Sequence, residues 1–200
     1  MGQAEPLVTL PMATPIWERF FSVFPLVLVG TREADGGYDL APKHLAMPMS
    51  WQNWFGFVCT LRHRTYQNVL RQRAFTVSYP RFEQIVYASL AAGPRGADAG
   101  KPSLQALPVF PARGVDGVLV EGCDVYLECE LDRLVDDLGD NSLIIGRIVA
   151  AHVHPRALRG DDREDNELIH DQPLFAYLYP ERCAVIAQSQ GFPMPAGFKR

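Results

Sequence analysis

Arg62, His63, Arg64 and Thr65 stand directly before a stretch in which Tyr66, Val69 and Leu70 recur at helical spacing. An arginine grips phosphate or carboxylate through two parallel hydrogen bonds. A helix N-terminus offers free backbone N–H groups and partial positive charge to the same kind of ligand. The chemistry available here is anion binding, with Thr65 expected as the helix N-cap. A solvated basic loop paired to surface acids is the competing reading, and these four residues alone do not separate the two.

Other reactive residue types are scattered. His152 and His154 share one side of an expected strand, as metal ligands can, but no third ligand has a compelling spacing, and no metal site is assigned. Cys59, Cys123, Cys129 and Cys183 form neither a CxxC pair nor a zinc pattern, so all four are read as reduced thiols. The chain lacks GxSxG, HExxH, GxxxxGK[ST] and GxGxxG. Serine hydrolase, zinc protease, P-loop and dinucleotide-fold chemistries therefore have no anchor. Trp51 and Trp54 are read first as core or subunit contact, and second as the wall of a flat aromatic ligand.

The elements that position the basic loop are legible from periodicity. Residues 56–61 form a mostly apolar run of strand length, and residues 74–79 alternate apolar and polar before Pro80. The spacing predicts a helix between them, closed by Arg71 and Arg73 where cations suit its negative end. Upstream, residues 24–31 read as a strand, Asp35-Gly36-Gly37 as a tight turn and residues 38–41 as the returning strand. Residues 1–16, with three prolines, are expected to be a surface arm, and residues 17–200 one domain. Phe82, Ile85, Val86, Ser89 and Leu90 predict a further helix. Residues 93–117 and 156–171 are expected excursions, the first with a helical turn around Leu104 and the second an exposed charged loop. Between them, residues 123–132 alternate strictly, with Cys123, Val125, Leu127, Cys129 and Leu131 inward and the acids outward. Residues 143–154 return as a second long strand after a turn containing Gly139. Hairpins joined by a few helices predict a mainly β, Greek-key barrel rather than alternating βαβ units.

The totals limit the partners. Net charge is −4, which argues against a broad nucleic-acid surface or an anionic membrane as partner. Apolar residues make up 48% and charged residues 21%, as in soluble proteins, and no apolar run reaches spanning length. A cytoplasmic protein without a membrane segment is expected.

Taken in order, the segments of residues 24–79 resemble the flavin reductase-like family of FMN-binding split-barrel proteins. Asp39-Leu40-Ala41-Pro42 matches that family's "N-x-A-P" segment, and Arg64-Thr65-Tyr66-Gln67-Asn68-Val69 its "K/R-x-T-x-x-N-i". Residues 125–129 and 145–149 look like its later strand pair. The resemblance covers roughly residues 20–155 and implies a split β-barrel with peripheral helices. It implies FMN, with FAD the alternative, lying between the strand of residues 39–41 and the loop of residues 59–64. Asp39, Leu40, Ala41 and Pro42 would line the isoalloxazine ring. Thr60, Arg62, His63, Arg64 and Thr65 would hold the phosphate, beside Cys59. The implied activity is an oxidoreductase moving hydride from NADH or NADPH to flavin, with a non-catalytic flavin-binding electron carrier or storage protein as the alternative. A homodimer is implied too, and a partner monooxygenase is one receiver for the reduced flavin. His44 and His152 are the candidates for contact with the nicotinamide. Asp39 departs from the family's usual Asn, because an ionised carboxylate cannot donate a hydrogen bond to a flavin carbonyl.

Overall fold

Antiparallel pairing organises the computed structural model, which describes residues 7–96, 100–160 and 162–197. Residues 1–6 of the expected arm, 97–99 of the first excursion and Asp161 of the second lie outside the described residues. The expected hairpin is β2 (Val27–Arg32) and β3 (Tyr38–Lys43), paired from Val27↔Lys43 to Arg32↔Tyr38. Gly36 closes its turn at φ +93, and Asp35 Oδ1 accepts from the Gly37 N–H at 2.9 Å. The apolar run before it is two strands rather than one. β1 (Ser22–Pro25) pairs instead with β11 (Leu174–Tyr179), and Pro25, with no N–H, ends it before the chain enters β2.

The main sheet has seven strands in the order β3-β2-β6-β9-β10-β5-β4. Its further members are β4 (Ala46–Pro48), β5 (Trp54–Thr60), β6 (Ala74–Tyr79), β9 (Val125–Leu138) and β10 (Asn141–Val153). β3 and β5 touch although four strands separate them in that order, so the sheet curls into the split barrel expected. A three-stranded sheet joins β1, β11 and β12 (Arg182–Ile186). A short ribbon pairs β7 (Val109–Pro111) with β8 (Val118–Val120). The helices are α1 (Arg64–Gln72), α2 (Ile85–Ala91) and α3 (Asp165–Asp171).

Two apolar cores share the sheet. Val27, Val29, Phe55, Phe57, Phe75, Val77, Cys129 and Ile144 fill the barrel, with Tyr66 and Val69 of α1 closing it. Leu28 and Leu40 face the other way and pack under Ala88 and Ala91 of α2 and Val118 and Val120 of β8. β2 is thus buried on both faces, which accounts for its unbroken apolar sequence.

Three local expectations change. The N-cap of α1 is His63, not Thr65, because the chain turns earlier, His63 N–H donating to the Thr60 carbonyl at 3.0 Å. Thr65 is already helical and buried. Glu128 lies on the face of β9 expected to be wet, yet it has no exposed surface. Residues 156–171 are not wholly a loop, since α3 occupies the end of that segment.

Candidate functional site

A cleft of about 550 Å³ opens where β3 passes the N-terminus of α1. Its volume is that of a site for a small molecule or cofactor. β3 contributes Asp39, Ala41, Pro42 and Lys43, and the turn into α1 contributes Arg62, His63, Arg64 and Thr65. The end of α2 and the segment after it supply the facing wall, through Ala91, Ala92, Gly93, Arg95 and Lys101.

Seven of the ten binding residues named from sequence therefore converge: Asp39, Ala41, Pro42, Arg62, His63, Arg64 and Thr65. The other three side chains turn elsewhere. Leu40 is in the apolar core under α2. Cys59 is in the barrel core, where burial pushes its thiol up against the opposing charge of Lys43. The Thr60 hydroxyl donates to Asn141 Oδ1 at 3.1 Å. Alternation along a strand explains the first: Asp39 and Ala41 share a face with the cleft, and Leu40 between them must face away.

Neither histidine named for the nicotinamide lines this cleft. His44 sits among Phe24, Tyr177 and Tyr179, its ring centroid 4.9 Å from that of Tyr177. Burial, then Lys43, holds its pKa down. His152 lies 3.0 Å from Glu128 beside a separate small cavity with Phe110 and Arg113. His154 accepts instead from the Arg156 N–H at 3.2 Å, so the two imidazoles engage different partners.

The electrostatics of the cleft are cationic. Arg62 has no ion-pair partner among the described residues, and Arg64 reaches Glu33 only at 3.5 Å. Burial, followed by Lys43 and Arg62, pushes the His63 ring below its ordinary pKa. Arg62, His63 and Arg64 are all adjacent to the first turn of α1, whose N–H groups add partial positive charge. Asp39, the one carboxylate lining the cleft among the described residues, is 3% exposed and bound by Arg95 at 2.9 Å and Lys101 at 3.4 Å. Among the described residues, an anion entering the cleft therefore meets Arg62, His63 and Arg64, and the one carboxylate there is already paired.

Sequence reading missed Lys43, Gln67, Arg95 and Lys101. Arg95 and Lys101 come from a Gly-, Pro- and Ala-rich stretch with no periodicity, and they meet Asp39 from 56 and 62 positions away. The one local signal is that they are isolated cations in a run whose only other charge up to Pro111 is Asp98.

Residues 22–177 match the family model of the flavin reductase like domain. Among solved structures, nitrilotriacetate monooxygenase component B from Bacillus cereus is 14% identical with a TM-score of 0.80, covering 94% of this chain and 100% of its own. The flavoredoxin of Desulfovibrio vulgaris (Miyazaki F) is 21% identical with a TM-score of 0.73, covering 99% and 100%. The NADH:FAD oxidoreductase of Streptomyces globisporus C-1027 is 16% identical with a TM-score of 0.60, covering 67% and 77%. At these identities the likeness is one of fold.

Proposed function

This chain belongs to the flavin reductase-like domain family, and from that premise we propose that it binds FMN in the β3–α1 cleft and passes hydride to it from NADH or NADPH. The observation that carries the reading is the convergence of Arg62, His63, Arg64 and the α1 N-terminus on one side of a cleft whose other side is the Ala41-Pro42 segment. A phosphate fits the first set, since it takes charge-assisted bonds from arginine and backbone N–H alike. A flat ring fits the second, which presents small apolar groups and strand backbone. A bound flavin supplies the hydride-accepting chemistry. The chain's own residues bind, orient and set charge: Arg62 and Arg64 anchor the phosphate, and Ala41 and Pro42 support the ring. FAD is accommodated by the same anchor and is the second cofactor to test.

Two assembly proposals accompany this. Trp17, Phe21, Val23, Met47 and Trp51 are large apolar side chains left exposed, and a second copy covering them is the reading that supports a homodimer. The likeness to a monooxygenase component supports delivery of reduced flavin to a partner monooxygenase. Four unpaired cysteines support a cytoplasmic setting. Among the described residues no helix is long and apolar enough to cross a membrane.

The test is a visible spectrum of the purified protein titrated with FMN or FAD, followed by NADH or NADPH under anaerobic conditions. Bound flavin bleached by one nucleotide supports the reductase reading and names the donor. Bound flavin that neither nucleotide reduces identifies a carrier or storage protein. No flavin binding rejects both.

A further inference from the structure

Lys101 is the buried cation of the cleft, its side chain 8% exposed. An ammonium has three donors. Here they meet Asp39 Oδ1 at 3.4 Å, the Leu40 carbonyl at 2.9 Å and the Ala91 carbonyl. Asp39 and Leu40 are on β3, and Ala91 is the last residue of α2. One side chain thus joins the two walls of the cleft. Asp39 also holds Arg95, which reaches Glu33 at 2.7 Å, and Glu33 faces Arg64. Among the described residues the ion pairs link Arg64, Arg95 and Lys101 with Glu33 and Asp39, a surplus of one positive charge within that set.

Tethering two walls does not require charge, and a buried ion pair is often no more stabilising than apolar residues of the same volume. Burial indeed pushes the Lys101 ammonium down, with Asp39 opposing. What the pair adds over an apolar tether is control of the local potential, which acts strongly in a partly dry site.

We infer that Lys101 and Asp39 are a positioning pair that fixes the charge of the cleft wall and thereby sets the site's preference for reduced over oxidised flavin. The inference rests on the flavin reading above. Hydride addition brings two electrons and one proton, so the ligand becomes one charge more negative, while the nicotinamide donor is oxidised and becomes one charge more positive. A more positive wall favours the reduced ligand, and a less positive wall the oxidised one. Asp39→Asn raises the surplus of the linked group from one to two, with little change of shape. Lys101→Met lowers it to zero while keeping the length of the side chain. The double substitution restores a surplus of one.

The experiment measures dissociation constants for oxidised FMN and for chemically reduced FMN, anaerobically, in the unsubstituted chain, both single variants and the double variant. The ratio of oxidised to reduced dissociation constant should rise about tenfold in Asp39→Asn, fall about tenfold in Lys101→Met and return in the double variant. A tether without electrostatic role weakens both forms equally, and an unmoved ratio in the singles overturns the inference. If Asp39→Asn does not fold, as thermal unfolding of the flavin-free chain reports, Lys101→Met decides alone by the same criterion. An unsubstituted chain that binds neither form rejects the flavin reading itself, and the inference with it.

Discussion

Glu128 on β9 and His152 on β10 meet diagonally across the strand pair, where Glu128 pairs with Ala150 and His152 with Tyr126, carboxylate Oε1 to imidazole Nε2 at 3.0 Å, with the carboxylate wholly shielded from solvent. The same carboxylate accepts from the backbone N–H groups of Arg113, Gly114 and Val115, at 3.0 Å for Arg113 and 3.1 Å for Val115. It therefore binds the loop before β8 to the middle of the main sheet. Glu128→Ala should cost about 2 kcal/mol of unfolding free energy, because three backbone N–H groups of the loop lose their charged acceptor and the loop its anchor on the sheet. Burial raises this carboxyl, but the bonds from Gly114, His152, Arg113 and Val115 outweigh it and leave the pKa below the ordinary 4.5. A depressed carboxyl contributes stability that is complete above its unfolded pKa and is lost as pH falls through the folded one. Chemical denaturation from neutral pH into the acid range should show this loss in the unsubstituted protein and a shallower one in Glu128→Ala. An equally steep acid loss in both proteins would refute the assignment.

Glu128 also marks the limit of what the sequence discloses. The period-two pattern of residues 123–132 correctly yields a long strand with Cys129 and Leu131 inward, and it places every acid outward. Nothing local reveals that a loop about 14 residues upstream folds over one of those acids and satisfies it with backbone N–H groups. The cleft divides the same way. Strand alternation and helix capping act over a few residues, so the Asp39–Ala41 strand and the Arg62–Thr65 turn are readable before the fold is known. Arg95 and Lys101 reach Asp39 through chain with no regular pattern, and only tertiary structure brings them there.

Arg62 and Arg64 should determine the grip on the ligand's phosphate. Replacing either with Ala should weaken FMN binding about tenfold to a hundredfold, the range of one charge-assisted hydrogen bond in a partly buried site. Riboflavin, which lacks the phosphate, is the control: its affinity should not change. Added salt should weaken FMN binding more in the unsubstituted protein than in either variant. Equal losses for FMN and riboflavin would place these arginines away from the phosphate.

Gly30 lies where β2 carries the second core on its back. A Cβ there would meet the Thr76 hydroxyl and would lie 2.8 Å from the Val118 carbonyl, a backbone atom of β8 that cannot move alone. Gly30→Ala should therefore cost about 2–4 kcal/mol through overpacking. Gly191→Ala, with nothing within 4 Å of the new Cβ, should be neutral. Thermal unfolding of the two variants side by side tests the contrast. A Gly30→Ala protein as stable as Gly191→Ala would mean that β8 is not held against β2.

His63 makes the cleft's ligand affinity sensitive to pH. Burial first, and then the charges of Lys43 and Arg62, hold its imidazole below the ordinary 6.5. A phosphate anion beside the ring compensates those cations and raises the pKa in the complex. Binding then takes up a proton, so His63 adds affinity as pH falls through the complex's pKa, and the gain is complete below that of the free site. The phosphate's own second ionisation also lies near pH 6 and works in the opposite direction. Dividing the FMN dissociation constant of His63→Gln by that of the unsubstituted protein cancels the ligand's contribution. That ratio should be near unity at about pH 8 and rise severalfold as the pH falls below about 6. Isothermal titration in two buffers of different ionisation enthalpy gives the proton uptake independently. A ratio that stays flat, with no proton taken up, would mean that the ring does not face the anion.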